Sequence, residues 1–402
     1  MITENRRARA HIDWPLIALV AALAVWGIIA VCVATYPAGG DADAPLLNHI
    51  VDSSYARNQA IFLAVGALEM IIIMNFRYDW IRRLTPWLYI GGTALVFVVW
   101  IFNRAEGVKA WLDIFFGFTI QPSEFIKLAM ILQLARVFSR QERALPDIPS
   151  AVRTFALVGV PCVIILLSGE MGSLLVIIFV FAVMLFFADT DWRVLLGLAA
   201  VAVLGVLALY GILVSIGSDS YRLQRILAFF DPETYASSDA YQMRQSQIAI
   251  GSGGLAGIGT FVDGSMSQLN YVPADWTDFI FATIGEAWGF LGCAAIIIVY
   301  LLIILRMLYL AQHTRDRYGM LVIIGVMAML LFHVFENIGM TMGLMPITGI
   351  PLPFLSYGGS NMITNVGGVA LVLNVTKNRS LAHAIIAPQT QYNPYRYKRK
   401  YT

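Results

Sequence analysis

Ten apolar segments, each long enough to cross a bilayer, follow one another along this 402-residue chain. A helix needs about 20 residues to span the hydrocarbon core, and its backbone groups must be hydrogen-bonded within the protein. Only 13% of the residues are charged, against about 25% in soluble domains. The sequence therefore predicts an all-α polytopic membrane protein. The ten predicted transmembrane helices cover residues 14–36, 57–76, 86–102, 121–137, 152–168, 171–188, 193–216, 278–309, 319–343 and 359–376.

The distribution of lysine and arginine predicts the orientation. With the N-terminus inside, the inner segments hold 20 of the 27 basic residues and the outer segments hold six. Cytoplasmic loops carry this excess in membrane proteins. We therefore expect both termini in the cytoplasm and a large extracellular loop, at about 217–277, between helices seven and eight. We expect one membrane domain over 1–380 and a flexible cytoplasmic tail over 381–402.

The remaining composition excludes several classes of protein. No basic stripe with interleaved aromatic residues is present, so the sequence does not indicate a nucleic-acid partner. The three cysteines all lie in apolar runs, and no Cys/His cluster has metal-ligand spacing. The first apolar run is too long for a signal peptide, whose apolar core is about 7–15 residues. We expect it to be retained as the first transmembrane helix.

An aspartate stands where the long outer loop meets the eighth apolar segment, in the run Trp276-Thr277-Asp278-Phe279. An ionisable group at this depth is costly unless it faces water or a partner. Asp278 is therefore the first candidate for a functional side chain. Glu286, eight positions later, falls on another face of the same helix, where we expect an internal contact with a neighbouring helix.

Other charged residues leave two interpretations open. Glu124 and Lys127 are three apart on the fourth helix, so they either form a structural ion pair or belong to a cavity wall where Lys127 meets a phosphate. Arg222 and Arg225 either bind phosphate or reach lipid headgroups. Lys109 is a third outer cation that could serve the same anion.

Two further features make structural predictions. His333 and Glu336 are three apart on the ninth helix, which favours a hydrogen-bonded pair in the core. The segment 346–360 carries no charge and three prolines. It is stiff and apolar, so we expect it to fold back into the helix bundle instead of extending into water. The glycines of 251–259 follow no predicted strand, so we expect them to allow a tight turn or a close backbone approach, not nucleotide binding.

Taken together, four motifs resemble the SEDS family (shape, elongation, division and sporulation), the polytopic glycosyltransferases of bacterial cell-wall synthesis. They are QPSEFIK (121–127), YQMRQSQIAIGSGGLAGIG (241–259), WTDFIFATIGE (276–286) and GMTMGLMPITGIPLPFLSYGGS (339–360). The resemblance extends from the first helix to about residue 380. The last motif is more similar to elongation-type members than to division-type members.

The resemblance implies a reaction. Family members polymerise lipid II into glycan strands on the outer face of the bacterial cytoplasmic membrane, and undecaprenyl pyrophosphate leaves. Asp278 matches the essential aspartate of the family, which would act as general base toward the acceptor hydroxyl. Two alternatives stay open: a lipid II flippase, and an inactive scaffold. The charged groups of the candidate site cluster in the outer half of the membrane, which favours the polymerase.

The resemblance also implies a site and partners. Glu170 stands where many family members have an aspartate, and it is the candidate ligand for a divalent cation, Mg²⁺ or Mn²⁺; no organic cofactor is expected. The implied partners are a class B penicillin-binding protein, which is a transpeptidase, and other membrane proteins of the elongation complex. The residues implied to bind substrate are Lys109, Glu124, Lys127, Arg222, Arg225, Gln245 and Ser246.

Overall fold

The computed structural model describes residues 12–37, 40, 44–102, 110–113, 119–141, 143–198, 200, 205, 211, 229 and 238–386. Within these ranges the protein is mostly helical. The helices are α1 (Trp14–Ala34), α2 (Leu46–Asp52), α3 (Ser54–Asn75), α4 (Tyr78–Phe102), α5 (Pro122–Phe138), α6 (Ile148–Ser168), α7 (Met171–Phe187), α8 (Ser238–Ser252), α9 (Ile280–Gln312), α10 (Arg317–Thr341) and α11 (Gly359–Ile386). Two short antiparallel strands, β1 (Leu112–Asp113) and β2 (Thr119–Ile120), precede α5.

In the described part of the chain, six helices are long and apolar enough to cross a membrane: α1, α3, α4, α6, α9 and α10. The protein is therefore a multi-pass membrane protein, as predicted. Helices α5, α7 and α11 also coincide with predicted segments. Most of the seventh predicted segment, and residues 217–228 and 230–237 of the predicted loop, lie outside the described residues. The count of ten spans and the placement of that loop consequently stay predictions.

Local sequence signals explain several helix ends. Asp13 precedes α1, and its carboxylate accepts a hydrogen bond of 3.1 Å from the backbone N–H of Leu16, while Pro15 occupies the first turn. Gly169 ends α6 in the left-handed region with φ of 92°. This conformation is nearly free of strain only for glycine. It closes the tight α6–α7 hairpin.

Helix α10 lies at the centre of the bundle. It packs against α5, α7, α9 and α11, and it is the most buried of the six long apolar helices. Helix α11 packs along α3 as well as α10. Because α10 is surrounded by protein, its polar side chains face other helices instead of lipid. One of them, Asn337, supports the site described below.

The glycine-rich segment 253–259 pairs with a break in α9. Gly289 has φ of 63° and ψ of −159°, which interrupts the helix. The N–H groups of Ile258 and Gly259 donate to the carbonyls of Glu286 and Ala287, at 2.9 and 3.1 Å. The N–H groups of α9 just after the break donate in turn to carbonyls of the segment. The expectation of a close backbone approach is confirmed, since a Cβ on Gly257 would lie 2.1 Å from the Ala287 carbonyl oxygen.

Candidate functional site

A cavity of about 410 Å³ opens where the loop before α9 meets the N-termini of α5, α7 and α11. Two carboxylates belong to its lining, one just before α9 and the other just before α7. The polar residues that line it are Thr119, Gln121, Glu170, Ser173, Thr277, Asp278, Thr348, Tyr357, Ser360 and Asn361.

Asp278 lines this cavity one residue before the N-cap of α9. Its backbone carbonyl accepts a hydrogen bond of 2.8 Å from Asn337 on α10. Gly349 lies beside its side chain, because a Cβ built on that glycine would be 3.5 Å from Oδ2 of Asp278. Gly349 also has φ of 72°, a conformation that favours glycine. The carboxylate thus stands against a wall that carries no side chain at this position.

The proline-rich segment 346–360 forms that wall, and its predicted return into the bundle is confirmed. The hydroxyl of Ser356 donates to the Thr277 carbonyl at 2.6 Å, and the N–H of Tyr357 donates to the Trp276 carbonyl at 2.9 Å. Gln59, fully buried on α3, donates to the Ser356 carbonyl at 2.9 Å. These bonds satisfy backbone groups of an irregular segment inside a helix bundle. They also fix the residues immediately before Asp278.

Glu170 is the second carboxylate of the cavity and is held by three donors. Its Oε2 accepts hydrogen bonds from Gln121 Nε2 at 2.6 Å, from the hydroxyl of Ser123, and from Ser173 Oγ at 3.0 Å. The residue is buried and occupies the N-cap position of α7, directly after the short connection from α6. Three bonds to one oxygen fix the side chain in a single orientation. Gln121 and Ser123 belong to the QPSE motif, so two residues of this motif hold the Glu170 carboxylate in place.

Glu124 and Lys127 form an ion pair of 2.7 Å, and both are buried. Lys127 Nζ also lies 3.0 Å from Nε2 of His333 on α10. Neither member of the pair lines the 410 Å³ cavity. The geometry favours the structural ion pair over the cavity wall. The predicted pairing of His333 with Glu336 is wrong, because α5 packs directly on α10 and brings the Lys127 ammonium to the imidazole.

The other predicted site residues are spread out. Ser246 is buried on α8 and donates to the Thr341 carbonyl at 2.9 Å, which ties α8 to the end of α10. Gln245 is half-buried, and neither residue lines the cavity. Lys109, Arg222 and Arg225 lie outside the described residues.

A sequence model described as cell cycle protein, for FtsW, RodA and SpoVE, matches residues 14–381. The chain belongs to the FtsW/RodA/SpoVE family. Peptidoglycan glycosyltransferase MrdB of Escherichia coli K12 is 33% identical over 321 residues, which cover 79% of this chain and 85% of that protein. Peptidoglycan glycosyltransferase RodA of Treponema pallidum is 30% identical over 443 residues, with 92% and 98% covered.

A chain in a solved structure has a fold similar to that of this protein. It comes from work on the structural coordination of polymerization and crosslinking by a peptidoglycan synthase complex. The two chains superpose with a TM-score of 0.73 at 26% sequence identity, covering 92% of this chain and 98% of that one. The described helices therefore have the arrangement of this family.

Asp278 and Glu170 are the two carboxylates of the cavity that a divalent cation would meet. In the part of the chain that the structure describes, no group of three or more His, Cys, Asp or Glu side chains could hold a metal. Mg²⁺, however, commonly binds through one or two carboxylates, several waters and the phosphates of a substrate. Asp278 and Glu170 fit that second arrangement. They do not fit a permanent site made by the protein alone.

Asp275 and Glu286 form a buried acidic pair behind the site. Glu286 accepts hydrogen bonds from the backbone N–H groups of Met266 and Ser267, at 2.6 and 3.1 Å, so it contacts a loop and not the neighbouring helix that we expected. Asp275 is fully buried, and neither of its carboxyl oxygens has a hydrogen-bond partner. Burial, together with the nearby Glu286, raises the pKa of Asp275 to about 8. Asp275 is therefore largely neutral at pH 7.

Sequence reasoning missed several residues that shape the site. Gln59, Asn337 and Asn361 are amides within apolar helices, and each contributes to the cavity or its supports. A polar amide inside a predicted membrane span is itself a signal, because such residues usually face the bundle interior. Asp275 has a weaker signal, since it lies in the loop before α9 and only its burial distinguishes it.

Proposed function

We propose that this chain is a peptidoglycan glycosyltransferase that polymerises lipid II during cell elongation. The relatives from E. coli and T. pallidum are named peptidoglycan glycosyltransferases. The single observation that carries the proposal is the position of Asp278, a carboxylate in an open cavity with a backbone fixed from two sides. Such a carboxylate can meet a hydroxyl of a sugar held in the cavity.

Asp278 acts in this proposal as general base. The 4-hydroxyl of the acceptor's GlcNAc unit loses its proton to Asp278 while its oxygen attacks the anomeric carbon of the donor. The bond from that carbon to the pyrophosphate oxygen breaks, and undecaprenyl pyrophosphate leaves with the electron pair. Gly349, which leaves the flank of the carboxylate free of a side chain, gives the acceptor sugar room to approach. Asn337 keeps the backbone of Asp278 in place.

The leaving pyrophosphate needs positive charge. Lys127 is already paired with Glu124 and His333, so it contributes mainly to the structure of the bundle. Lys109, Arg222 and Arg225 are the proposed partners of the phosphates. A divalent cation held by Glu170 and Asp278 together with the substrate would neutralise further negative charge on the pyrophosphate. Gln245 and Ser246 are proposed to shape the substrate path from α8.

The proposed topology has ten spans and both termini in the cytoplasm of a bacterial inner membrane. The excess of lysine and arginine in the inner segments supports this orientation. It puts the loop at 217–277 and the 410 Å³ cavity on the outer side, where lipid II is used. Residues 1–380 form the proposed membrane domain, and 381–402 form its cytoplasmic tail.

The proposed partner is a class B penicillin-binding protein, with other membrane proteins of the elongation complex. The solved structure that resembles this chain comes from a synthase complex that couples polymerization to crosslinking. A transpeptidase beside this chain would crosslink the strands as they are made.

The test uses the purified chain with its cognate transpeptidase and labelled lipid II, with and without Mg²⁺ or Mn²⁺. Asp278→Asn is compared with Asp52→Asn, because Asp52 is an exposed aspartate at the end of α2. We expect polymer from the wild type and from the control, and none from Asp278→Asn. Polymer from all three would refute the role of Asp278. Polymer from none, with lipid II translocation in liposomes, would support the flippase instead.

A further inference from the structure

A second cavity, of about 260 Å³, lies between the start of α4 and the end of α5. Its lining consists of Asp79, Arg82, Arg83, Arg136 and Arg140. It shares no residue with the first cavity. Gln121 at the other end of α5 belongs to that first cavity, and 15 residues of helix separate it from Arg136, about 22 Å. The two cavities therefore lie near opposite surfaces of the membrane.

Among the described residues, the charges that line this second cavity do not balance. Four arginines and one aspartate line it. In the described part of the chain, none of the four arginines forms an ion pair or donates a side-chain hydrogen bond. Like charges that converge on one space repel each other unless an anion neutralises them.

Arg136 and Arg82 show how such an anion would be held. Nη1 of Arg136 is buried and has no hydrogen-bond partner. A buried charged donor without an acceptor is costly, so an anion bound at this atom would be favourable. The guanidinium of Arg82 lies 5.2 Å from the ring centre of Tyr318, which is itself fully buried. This contact orients the guanidinium while its N–H groups stay available.

We propose that this cavity binds the phosphate group of an anionic phospholipid. Arginine presents a planar fork of donors that matches the oxygens of a phosphate, and several arginines can share one tetrahedral anion. Helices that end at the membrane surface place such a cluster at the depth of the headgroups. The general excess of arginine in cytoplasmic segments explains why this cluster lies on the cytoplasmic side of the membrane. It does not account for four arginines around one cavity or for the unpartnered Nη1 of Arg136.

The test measures lipid binding by native mass spectrometry of the delipidated full-length chain. Phosphatidylglycerol and cardiolipin are titrated, with phosphatidylcholine as the zwitterionic comparison. The variant Arg136→Gln/Arg140→Gln removes two charges from the cavity. Its matched control is Arg153→Gln/Arg193→Gln, because these two arginines are exposed and lie outside the cavity. Both variants lose the same net charge, so a general electrostatic effect would affect them equally.

We expect the cavity variant to bind phosphatidylglycerol about tenfold more weakly than the wild type, the equivalent of one lost charge-assisted hydrogen bond. The control should stay within about twofold. Arg136→Lys keeps the charge but loses the planar fork of donors. We expect its affinity for phosphatidylglycerol to lie between those of the cavity variant and the control. Equal weakening of both double variants, or no weakening of either, would overturn the proposal.

A second experiment on the wild type distinguishes a lipid headgroup from a free phosphate as the ligand of this cavity. Inorganic phosphate and pyrophosphate are added at constant ionic strength, and bound phosphatidylglycerol and the melting temperature are followed. Stabilisation by the free anions without any lipid preference would assign the cavity to a soluble phosphate. Lipid binding that the anions displace would confirm the headgroup phosphate as ligand. If the free anions neither stabilise the protein nor displace phosphatidylglycerol, the proposal is overturned. This outcome decides even where the cavity variant fails to fold.

Discussion

The side-chain amide of Asn337 holds the backbone of Asp278. Its Nδ2 lies 2.8 Å from the Asp278 carbonyl oxygen and 2.8 Å from that of Ile350. One side chain on the central helix α10 thus fixes both the residue that carries the carboxylate and the proline-rich wall opposite it. We therefore regard Asn337 as a positioning residue for the site.

Asn337→Asp tests this relationship, because it keeps the shape of the side chain and removes the amide group that donates to both carbonyls. At least one carbonyl would lose its bond, at about 1–3 kcal/mol for each buried group left unsatisfied. We expect a lower melting temperature and a rate of glycan synthesis reduced by about tenfold or more, with the loss in kcat rather than KM. Asn75→Asp is the control, because Asn75 is an exposed amide at the end of α3. Unchanged kcat in a folded Asn337→Asp protein would contradict the prediction.

Removal of one member of the Glu124–Lys127 pair should damage the fold. Lys127→Met leaves Glu124 buried without its counter-ion, which typically costs about 3–5 kcal/mol. We expect a large drop in melting temperature for Lys127→Met. The double variant Glu124→Gln/Lys127→Met should recover most of the stability, because no uncompensated charge is left.

Activity of the double variant separates the two interpretations of this pair. If the pair is structural, the stable double variant should polymerise lipid II at a rate close to that of the wild type. A stable but inactive double variant would instead mean that Lys127 contacts the substrate.

Asp275 should make stability depend on pH. Its pKa is about 8 in the folded protein, against about 3.9 in an unfolded chain. Below about pH 4 both states hold the proton, and between about 4 and 8 only the folded state does, so stability falls as pH rises across this window, by at most about 1.4 kcal/mol per unit. Asp275→Asn removes this effect.

The measurement is the melting temperature of Asp275→Asn and of wild type at pH 5 and pH 8. We expect the variant to gain more over the wild type at pH 8 than at pH 5. Asp52→Asn serves as the control, since Asp52 is exposed. A difference between Asp275→Asn and the wild type that is the same at both pH values would show that Asp275 is ionised in the folded protein.

Gly257 should not tolerate a side chain. A Cβ at this position would lie 2.1 Å from the carbonyl oxygen of Ala287, and its φ is 86°. The obstructing atom belongs to the backbone, so the two segments would have to separate. We expect Gly257→Ala to lower the melting temperature strongly, while Gly251→Ala, whose Cβ meets nothing within 4 Å, should have little effect. Equal melting temperatures for the two variants would contradict the packing of this segment on α9.

The apolar segments predicted most helices well, because a bilayer leaves few alternatives to a helix of about 20 residues. The helix Ser238–Ser252 was missed, since most of its residues are polar or small and its buried positions Ala240, Met243, Ser246 and Ala249 include only one large apolar side chain. Asp278 could be found as a charge at the start of an apolar run. The support from Asn337 could not, because it depends on how α10 packs against α9 and on the course of the proline-rich segment.

The break at Gly289 also bears on how this protein responds to its bilayer. A continuous helix transmits a tilt along its whole length, and spans tilt when the hydrocarbon core changes thickness. In α9 the N–H groups after the break bond to the glycine-rich segment instead of the preceding turn. The same segment also donates to the carbonyls of Glu286 and Ala287 before the break, so it bridges the two parts of α9. A change of tilt after the break would therefore act on the residues next to Asp278 through the glycine-rich segment as well as through the helix.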